Sequence, residues 1–327
     1  MSLIDPYQRR IDYLRISITD HCNLNCFYCR PLGGRPFTPH EMILRYEEIL
    51  RIVRVAVGLG VKKARVTGGE PLLRKGVVDF ISRLSHSGIE NLGLTTNGIL
   101  LKEFARPLRE AGLSHVNISL DSLDPRNFQR ITGSDGLGEV LAGIEEARKA
   151  GFKKIKINTV LIRGNNEAEI LDFAELAFSR GLEVRFIEYM PYLNGKEWQK
   201  DLYLQAEEVK KVINSRFPLE PVEKQEKPGV AEMYRMKGGQ GRIGFISSIS
   251  QHFCERCNRI RLTADGKLRN CLFSDEEIDI LGPMRDGISD PELAEIIRGS
   301  VGKKPERRPD LSCSFKKCTR TMNLIGG

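Results

Sequence analysis

The sequence predicts an α/β fold, an incomplete (β/α)6 TIM-type barrel followed by a smaller, irregular C-terminal region. Three observations predict it. Six β-rich runs recur at intervals of about 30 residues with helical patterns between them, which implies a parallel sheet. Residues able to do chemistry fall at the ends of those runs, where parallel folds place their active face. The pattern then breaks after residue 217, where "FPLEPVEKQEKPGVAEMY" carries three prolines and no helical period. The expected division is therefore 1–217 for the barrel and 218–327 for the rest. Six units could also lie as an open doubly wound sheet; the convergence of the strand-end groups favours the partial barrel.

The six runs are "DYLRISI" (12–18), "KKARVTG" (62–68), "NLGLTTN" (91–97), "HVNISLD" (115–121), "KKIKINTVLI" (153–162) and "LEVRFIEYM" (182–190). Between the first two, Thr38-Pro39-His40-Glu41 has the form of a capping box with proline at the first helical position. Ile43, Tyr46, Ile49, Leu50, Val53 and Val57 then recur at helical spacing. Asp124-Pro125 opens another helix, and "NNEAEILDFAELAFSRG" (165–181) begins with an asparagine cap and ends on glycine. Beyond residue 217, "GRIGFISSIS" and "RIRLTADGKLRNCLF" look like strands, the latter turning at "ADGK" (264–267).

Composition is that of an ordinary globular chain, 40% hydrophobic and 29% charged over 327 residues. No uncharged apolar run approaches the roughly 18 residues of a membrane span, and the N-terminus lacks a secretory apolar stretch. The expected compartment is the cytoplasm, where clustered thiols serve metal or redox chemistry more often than disulfides. The net charge of +8 is a mild bias towards anionic partners, much of it from residues 303–320. On charge alone a solvated basic tail is the favoured reading of that segment.

Two groups of three cysteines carry the chemistry. Cys22, Cys26 and Cys29 follow C-x3-C-x2-C directly after the first strand. Three thiolates can hold three irons of a cubane cluster and leave the fourth open to a small molecule. A Cys3His zinc site borrowing His21 or His40, or three unligated thiols, would fit the spacing as well. Gly68-Gly69-Glu70-Pro71 follows the second strand. The second group is Cys254, Cys257 and Cys271, C-x2-C-x13-C, for which zinc with His252 and an iron–sulfur cluster fit equally on spacing.

The first loop, with Tyr28 before its last cysteine, and the "GGEP" strand end resemble the radical S-adenosylmethionine superfamily. The second trio, "NRIRL" after its second cysteine, and the terminal Gly326-Gly327 resemble the GTP 3′,8-cyclase family of molybdenum cofactor biosynthesis. That resemblance runs from about Asp12 to Gly327. It implies a lyase with two [4Fe–4S] clusters that uses S-adenosylmethionine to convert GTP into 3′,8-cyclo-7,8-dihydro-GTP. It places Tyr28, Gly68, Gly69, Glu70, Asn97, Ser119 and Met190 around S-adenosylmethionine. Arg15, Arg65, Thr95, Lys156, Arg259 and Arg261 would hold GTP, and Gly326 and Gly327 would enter the active site. The chemistry would be the cofactors' own, with no side chain as acid or base. Partners implied are an electron donor and a downstream cyclic pyranopterin monophosphate synthase, with neither membrane nor nucleic acid.

Two features point elsewhere. Another radical S-adenosylmethionine enzyme with an auxiliary cluster, for instance a peptide-modifying one, would share the first loop but would not require the arginine pair or the Gly-Gly end. A zinc-ribbon nucleic-acid-binding protein would explain the charge and one trio, but not "GGEP". Cys313 and Cys318 belong to neither trio and read as structural or free thiols, and no histidine has an assigned role. The oligomeric state stays open, a homodimer included.

Overall fold

The computed structural model describes residues 2–30, 37–190, 200–222, 229–309 and 320–326. All six expected runs are strands: β1 (Tyr13–Ser17), β2 (Lys63–Thr67), β3 (Asn91–Thr96), β4 (His115–Ser119), β5 (Ile155–Leu161) and β6 (Glu183–Glu188). Each pairs in parallel with the next. Between them run α1 (Tyr46–Gly58), α2 (Val77–Ser85), α3 (Leu101–Glu110), α4 (Pro125–Thr132), α5 (Leu137–Lys149) and α6 (Ile170–Arg180). After β6 come α7 (Ala206–Asn214), β7 (Leu219–Pro221), β8 (Glu232–Met236) and β9 (Arg242–Ile246). The chain continues through β10 (Arg259–Leu262), β11 (Lys267–Arg269), β12 (Ile278–Asp279), α8 (Leu281–Arg285), α9 (Asp290–Gly302) and α10 (Met322–Ile325).

The C-terminal strands do not stand apart. β9 pairs in parallel with β6 at one edge of the six-strand array, and β10 pairs in parallel with β1 at the other. The antiparallel strands β8–β7 and β11–β12 continue outward from these, giving one sheet of order β12-β11-β10-β1-β2-β3-β4-β5-β6-β9-β8-β7. Among the described residues the two ends do not pair, so the barrel is open there, as the sequence predicts.

Strand alternation sorts the side chains. One residue in two, among them Leu14, Ile16, Ala64, Val66, Leu94, Val116, Ile118, Ile157, Val184 and Phe186, is buried apolar and packs into the core that also takes Ile49, Ile52 and Val53 of α1. The alternate residues are mostly polar or charged, with Gly93, Val160 and Ile187 as exceptions. Burying the apolar set against the helices is the main drive for the fold.

Two helix starts differ from expectation. Pro39 precedes only a single 3-10 turn at His40–Met42, and Ile43 is extended. The helix begins at Tyr46 because Glu48 reaches back to the Arg45 amide at 2.6 Å, while its other oxygen pairs with Arg285 at 3.0 Å. A partner distant in sequence thus decides the cap. Likewise Asn166 leads into a 3-10 turn, and the α-helix starts at Ile170. The Asn166 amide bridges strand ends instead, donating to Asp121 O at 2.7 Å and Val160 O at 2.8 Å. The Asp124 cap, the Gly181 stop and the hairpin at 264–267 are all present.

Candidate active site

The first cysteine loop is built onto the ends of β1 and α4. Asn25 and Phe27 donate their amides to Thr132 O and Ile131 O, and Cys29 donates to Cys26 O at 2.9 Å. Asn97 donates to Cys22 Sγ at 3.7 Å and to Asn23 Oδ1 at 2.8 Å, tying the loop to the end of β3. Burial pushes the Cys29 thiol up to about 12, with Cys22 beside it adding to the rise, and raises Cys26 and Cys22 as well. Thiols held this way ionise readily only when a metal replaces the proton.

The glycines of "GGEP" serve this loop. A Cβ on Gly69 would sit 2.2 Å from His21 O, and one on Gly68 2.5 Å from Thr19 O. Their absence lets the Gly69 and Glu70 amides donate to Thr19 O and His21 O, each at 2.7 Å. Glu70 is wholly buried, and its carboxylate accepts from Leu72 N, Thr96 Oγ1 and Asn97 N at 3.0, 2.9 and 2.7 Å. Burial lifts its pKa to about 7. Its side chain therefore organises the β2 and β3 ends and the neighbouring Asn97. Tyr28 donates its hydroxyl to Asp121 at 2.5 Å, joining the loop to the β4 end. Ser119 closes β4, and half-buried Met190 follows β6 by two residues.

Below this end, the polar residues of the strands meet in register. Arg261 pairs with Arg15, Arg15 with Arg65, and Arg65 with Gly93, which faces His115. Thr95 pairs with Asn117 and Asn117 with Lys156. Arg65 is locked between two acceptors, Tyr13 Oη at 2.6 Å and His115 Nε2 at 2.7 Å. Gly93 makes room for that imidazole, since a Cβ there would lie 2.6 Å from His115 Nε2. Arg259 lies over the Tyr13 ring at 5.5 Å.

These cations shape one another. Burial and the neighbouring Arg261 hold Arg15 well below its ordinary value. Burial, then Arg185, brings Lys156 down to about 8. His115 falls to about 2 through burial and Arg65. Burial alone would raise Tyr13, but Arg65, Arg15 and Arg259 outweigh it and bring the phenol to about 7. Among the described residues, no carboxylate lies within ion-pair distance of Arg65, Lys156 or Arg259. Thr95 Oγ1, Asn117 Oδ1, Asn158 Oδ1 and Arg259 Nε are buried without any partner. Several cations beside orphaned polar atoms fit a polyanion that also carries donors.

The second trio closes the other side. The β10–β11 hairpin folds Cys271 back towards Cys257, which accounts for the thirteen-residue gap between them. Cys257 N donates to Cys254 O at 3.1 Å, and Arg308 N to Cys254 Sγ at 3.4 Å. Burial works against ionisation of Cys257, but Lys304 and Arg259 outweigh it and hold the thiol below its ordinary range. Burial raises Cys271, with Cys257 and Cys254 contributing. Among the described residues, no three His, Cys, Asp or Glu side chains close round one point as ligands of a single ion would. Each trio is all sulfur, and a cubane spreads such ligands over separate irons. His21 stacks on Phe37 at 3.9 Å, and His252 is exposed.

The chain's end lies between the two trios. Arg320 forks onto Asp265 at 2.9 and 2.8 Å and reaches Glu277 at 2.7 Å. Asn323 donates to Asp20 O at 3.1 Å, and Arg261 donates to Gly326 O at 2.8 Å. A Cβ on Gly326 would lie 2.8 Å from Thr67 Cγ2, so the tail crosses the β2 end closely. Gly327, Cys313 and Cys318 lie outside the described residues.

Sequence reasoning brought the cysteines, arginines, Lys156 and Thr95 to the same region. It missed Tyr13, His115, Asn117, Asn158 and Lys304. The alternation used for Arg259 and Arg261, applied to every strand, would have found the first four. Lys304 gives no such signal.

A family model described as "Radical SAM superfamily" matches residues 16–177, and one described as "Molybdenum Cofactor Synthesis C" matches 182–309. The GTP 3′,8-cyclase of Thermodesulfovibrio yellowstonii is 48% identical over 326 residues, 99% of each chain. That of Geobacter sulfurreducens is 47% identical over 329 residues, 100% of each chain. Among solved structures, Streptococcus suis SuiB bound to S-adenosylmethionine aligns with TM-score 0.58 at 15% identity, over 94% of this chain and 79% of that one. That likeness bears on the fold alone.

Proposed function

We propose a reaction for a chain that belongs to the GTP 3′,8-cyclase family, within the radical S-adenosylmethionine superfamily. It converts GTP to 3′,8-cyclo-7,8-dihydro-GTP, the first step of molybdenum cofactor biosynthesis: the ribose C3′ hydrogen atom passes to a 5′-deoxyadenosyl radical, C3′ bonds to C8, and one electron from the donor and one proton complete the dihydro ring. As a carbon–carbon bond-forming cyclisation it falls with the lyases. The chemistry supplied by a [4Fe–4S] cluster on Cys22, Cys26 and Cys29 is one electron into the sulfonium of S-adenosylmethionine, releasing a 5′-deoxyadenosyl radical.

The chain's residues bind, orient and exclude water. Gly68, Gly69, Ser119 and Met190 line the strand ends beside the first trio, where S-adenosylmethionine would lie, with Tyr28 and Asn97 flanking. Glu70 acts there by fixing the Asn97 amide. Arg15, Arg65, Lys156, Arg259 and Arg261 would take the triphosphate, because guanidinium forks match phosphate oxygens and adjacent strands bring these positive charges together. Thr95 would complete its orphaned hydroxyl on the same nucleotide. Cys254, Cys257 and Cys271 would hold a second [4Fe–4S] cluster, which would supply an open iron for the guanine base. The tail at Gly326 and Gly327 would close the cavity, so that positioning replaces diffusion for a reactive radical.

The division into a radical-generating unit, 1–217, and an auxiliary-cluster unit, 218–327, assigns each reactant a side. No helix among the described residues is long and apolar enough to cross a membrane. Oxygen-sensitive clusters favour the reducing cytoplasm as the place of action. The reaction needs an electron donor, and its product would pass to a cyclic pyranopterin monophosphate synthase; a homodimer is compatible with both.

The observation that carries this reading is the register-built row of buried and half-buried cations on β10, β1 and β2. Arg259→Ala or Arg261→Ala should weaken GTP binding by about 10- to 100-fold, the worth of a charged hydrogen bond, while the first cluster keeps its iron. Unchanged nucleotide affinity would refute the assignment.

A further inference from the structure

Lys304 follows α9 by two residues and is only 3% exposed. A buried ammonium is costly unless a counter-charge meets it. Among the described residues it has no carboxylate. Its hydrogen bonds go to Arg259 O at 2.8 Å and Asn270 O at 2.5 Å. Those two carbonyls belong to the segments that carry Cys257 and Cys271, and the ammonium lies against the Cys257 sulfur.

The placement is enforced from both sides. Arg9, paired with Asp5 at 2.5 Å, donates to Cys254 O at 2.8 Å, Glu306 O at 2.8 Å and Pro305 O at 2.6 Å. One guanidinium thereby staples the 304–306 segment to the Cys254 turn. Four residues beyond Lys304, the Arg308 amide donates to Cys254 Sγ. A single crossing segment thus brings a fixed positive charge and a backbone donor to two of the three thiols.

We infer that the Lys304 ammonium is the built-in counter-charge of the cluster held by Cys254, Cys257 and Cys271. It sets the spacing of the Cys257 and Cys271 segments and eases the cluster's reduction. This rests on the second-cluster reading above. A cubane on three thiolates is anionic in both redox states and more so when reduced, so a buried cation beside it favours the electron's arrival.

The test compares anaerobically reconstituted wild-type protein with Lys304→Met and Lys304→Arg. Iron is counted, the second cluster is titrated potentiometrically by EPR, and thermal unfolding is followed with and without iron. In Lys304→Met the second cluster should reduce at a lower potential or be lost, taking iron from about eight to about four per chain. Lys304→Arg should keep its iron and a potential nearer the wild-type value. Stability should fall in the loaded Lys304→Met protein but little in the iron-free one, because only the cluster supplies the missing charge. Unchanged iron and potential in Lys304→Met, or equal destabilisation with and without iron, would overturn the inference. Wild-type protein that takes up only about four irons would instead overturn the two-cluster reading itself, before any variant is compared.

Discussion

His115 shows how one side chain is set by its surroundings. Its imidazole accepts from Arg65 and stays neutral down to about pH 2, against an ordinary value of 6.5. Between those values the unfolded chain binds a proton that the folded one refuses, so stability is lost as pH falls below 6.5. His115→Gln should remove roughly 2 kcal/mol of that loss at about pH 5, read as the change in urea midpoint of the iron-free protein between about pH 7 and pH 5. The sequence offered His115 only as a strand residue without a role; its meaning depends on Gly93 opposite, which no local pattern reveals. Resemblance alone put Gly69 beside S-adenosylmethionine, whereas what its backbone approaches within the fold is the His21 carbonyl of the cysteine loop. Gly69→Ala should cost on the order of 2–3 kcal/mol and lower the melting temperature of the iron-free protein.

The elements with the clearest local signals were the easiest to read. The Asp124 cap and the 264–267 hairpin rest on contacts a few residues apart, and the six strands announce themselves by their local residue types. The start of α1 was not legible, because Glu48 is shared with Arg285, on the far side of the sequence. The C-terminal tail is a similar case. The glycine end was visible, yet the Arg320 fork on Asp265 that delivers it depends on tertiary placement. Arg320→Ala should speed amide exchange across 321–326 by about tenfold, equivalent to roughly 1.4 kcal/mol. Asp265→Ala should do the same. Exchange unchanged in both would show that the tail is held by other contacts.

Across the whole molecule, the open barrel is completed by its own C-terminal region. β10 docks beside β1 and carries Arg259 and Arg261 into the row begun by Arg15 and Arg65. The second trio lies at the start of that same strand and in the turn that ends its hairpin. Sequence reasoning saw the C-terminal region as smaller and irregular, since strands that pair across 246 residues, as Tyr13 and Arg259 do, leave no periodic trace. The consequence is that cations from both parts of the chain stand side by side on adjacent strands, where a nucleoside triphosphate would need them. The most direct measurement is an anaerobic incubation of the reduced, iron-loaded protein with S-adenosylmethionine, with and without GTP. The expected result is 5′-deoxyadenosine together with 3′,8-cyclo-7,8-dihydro-GTP, both depending on GTP. Deoxyadenosine formed equally without GTP, and no cyclised nucleotide, would contradict it.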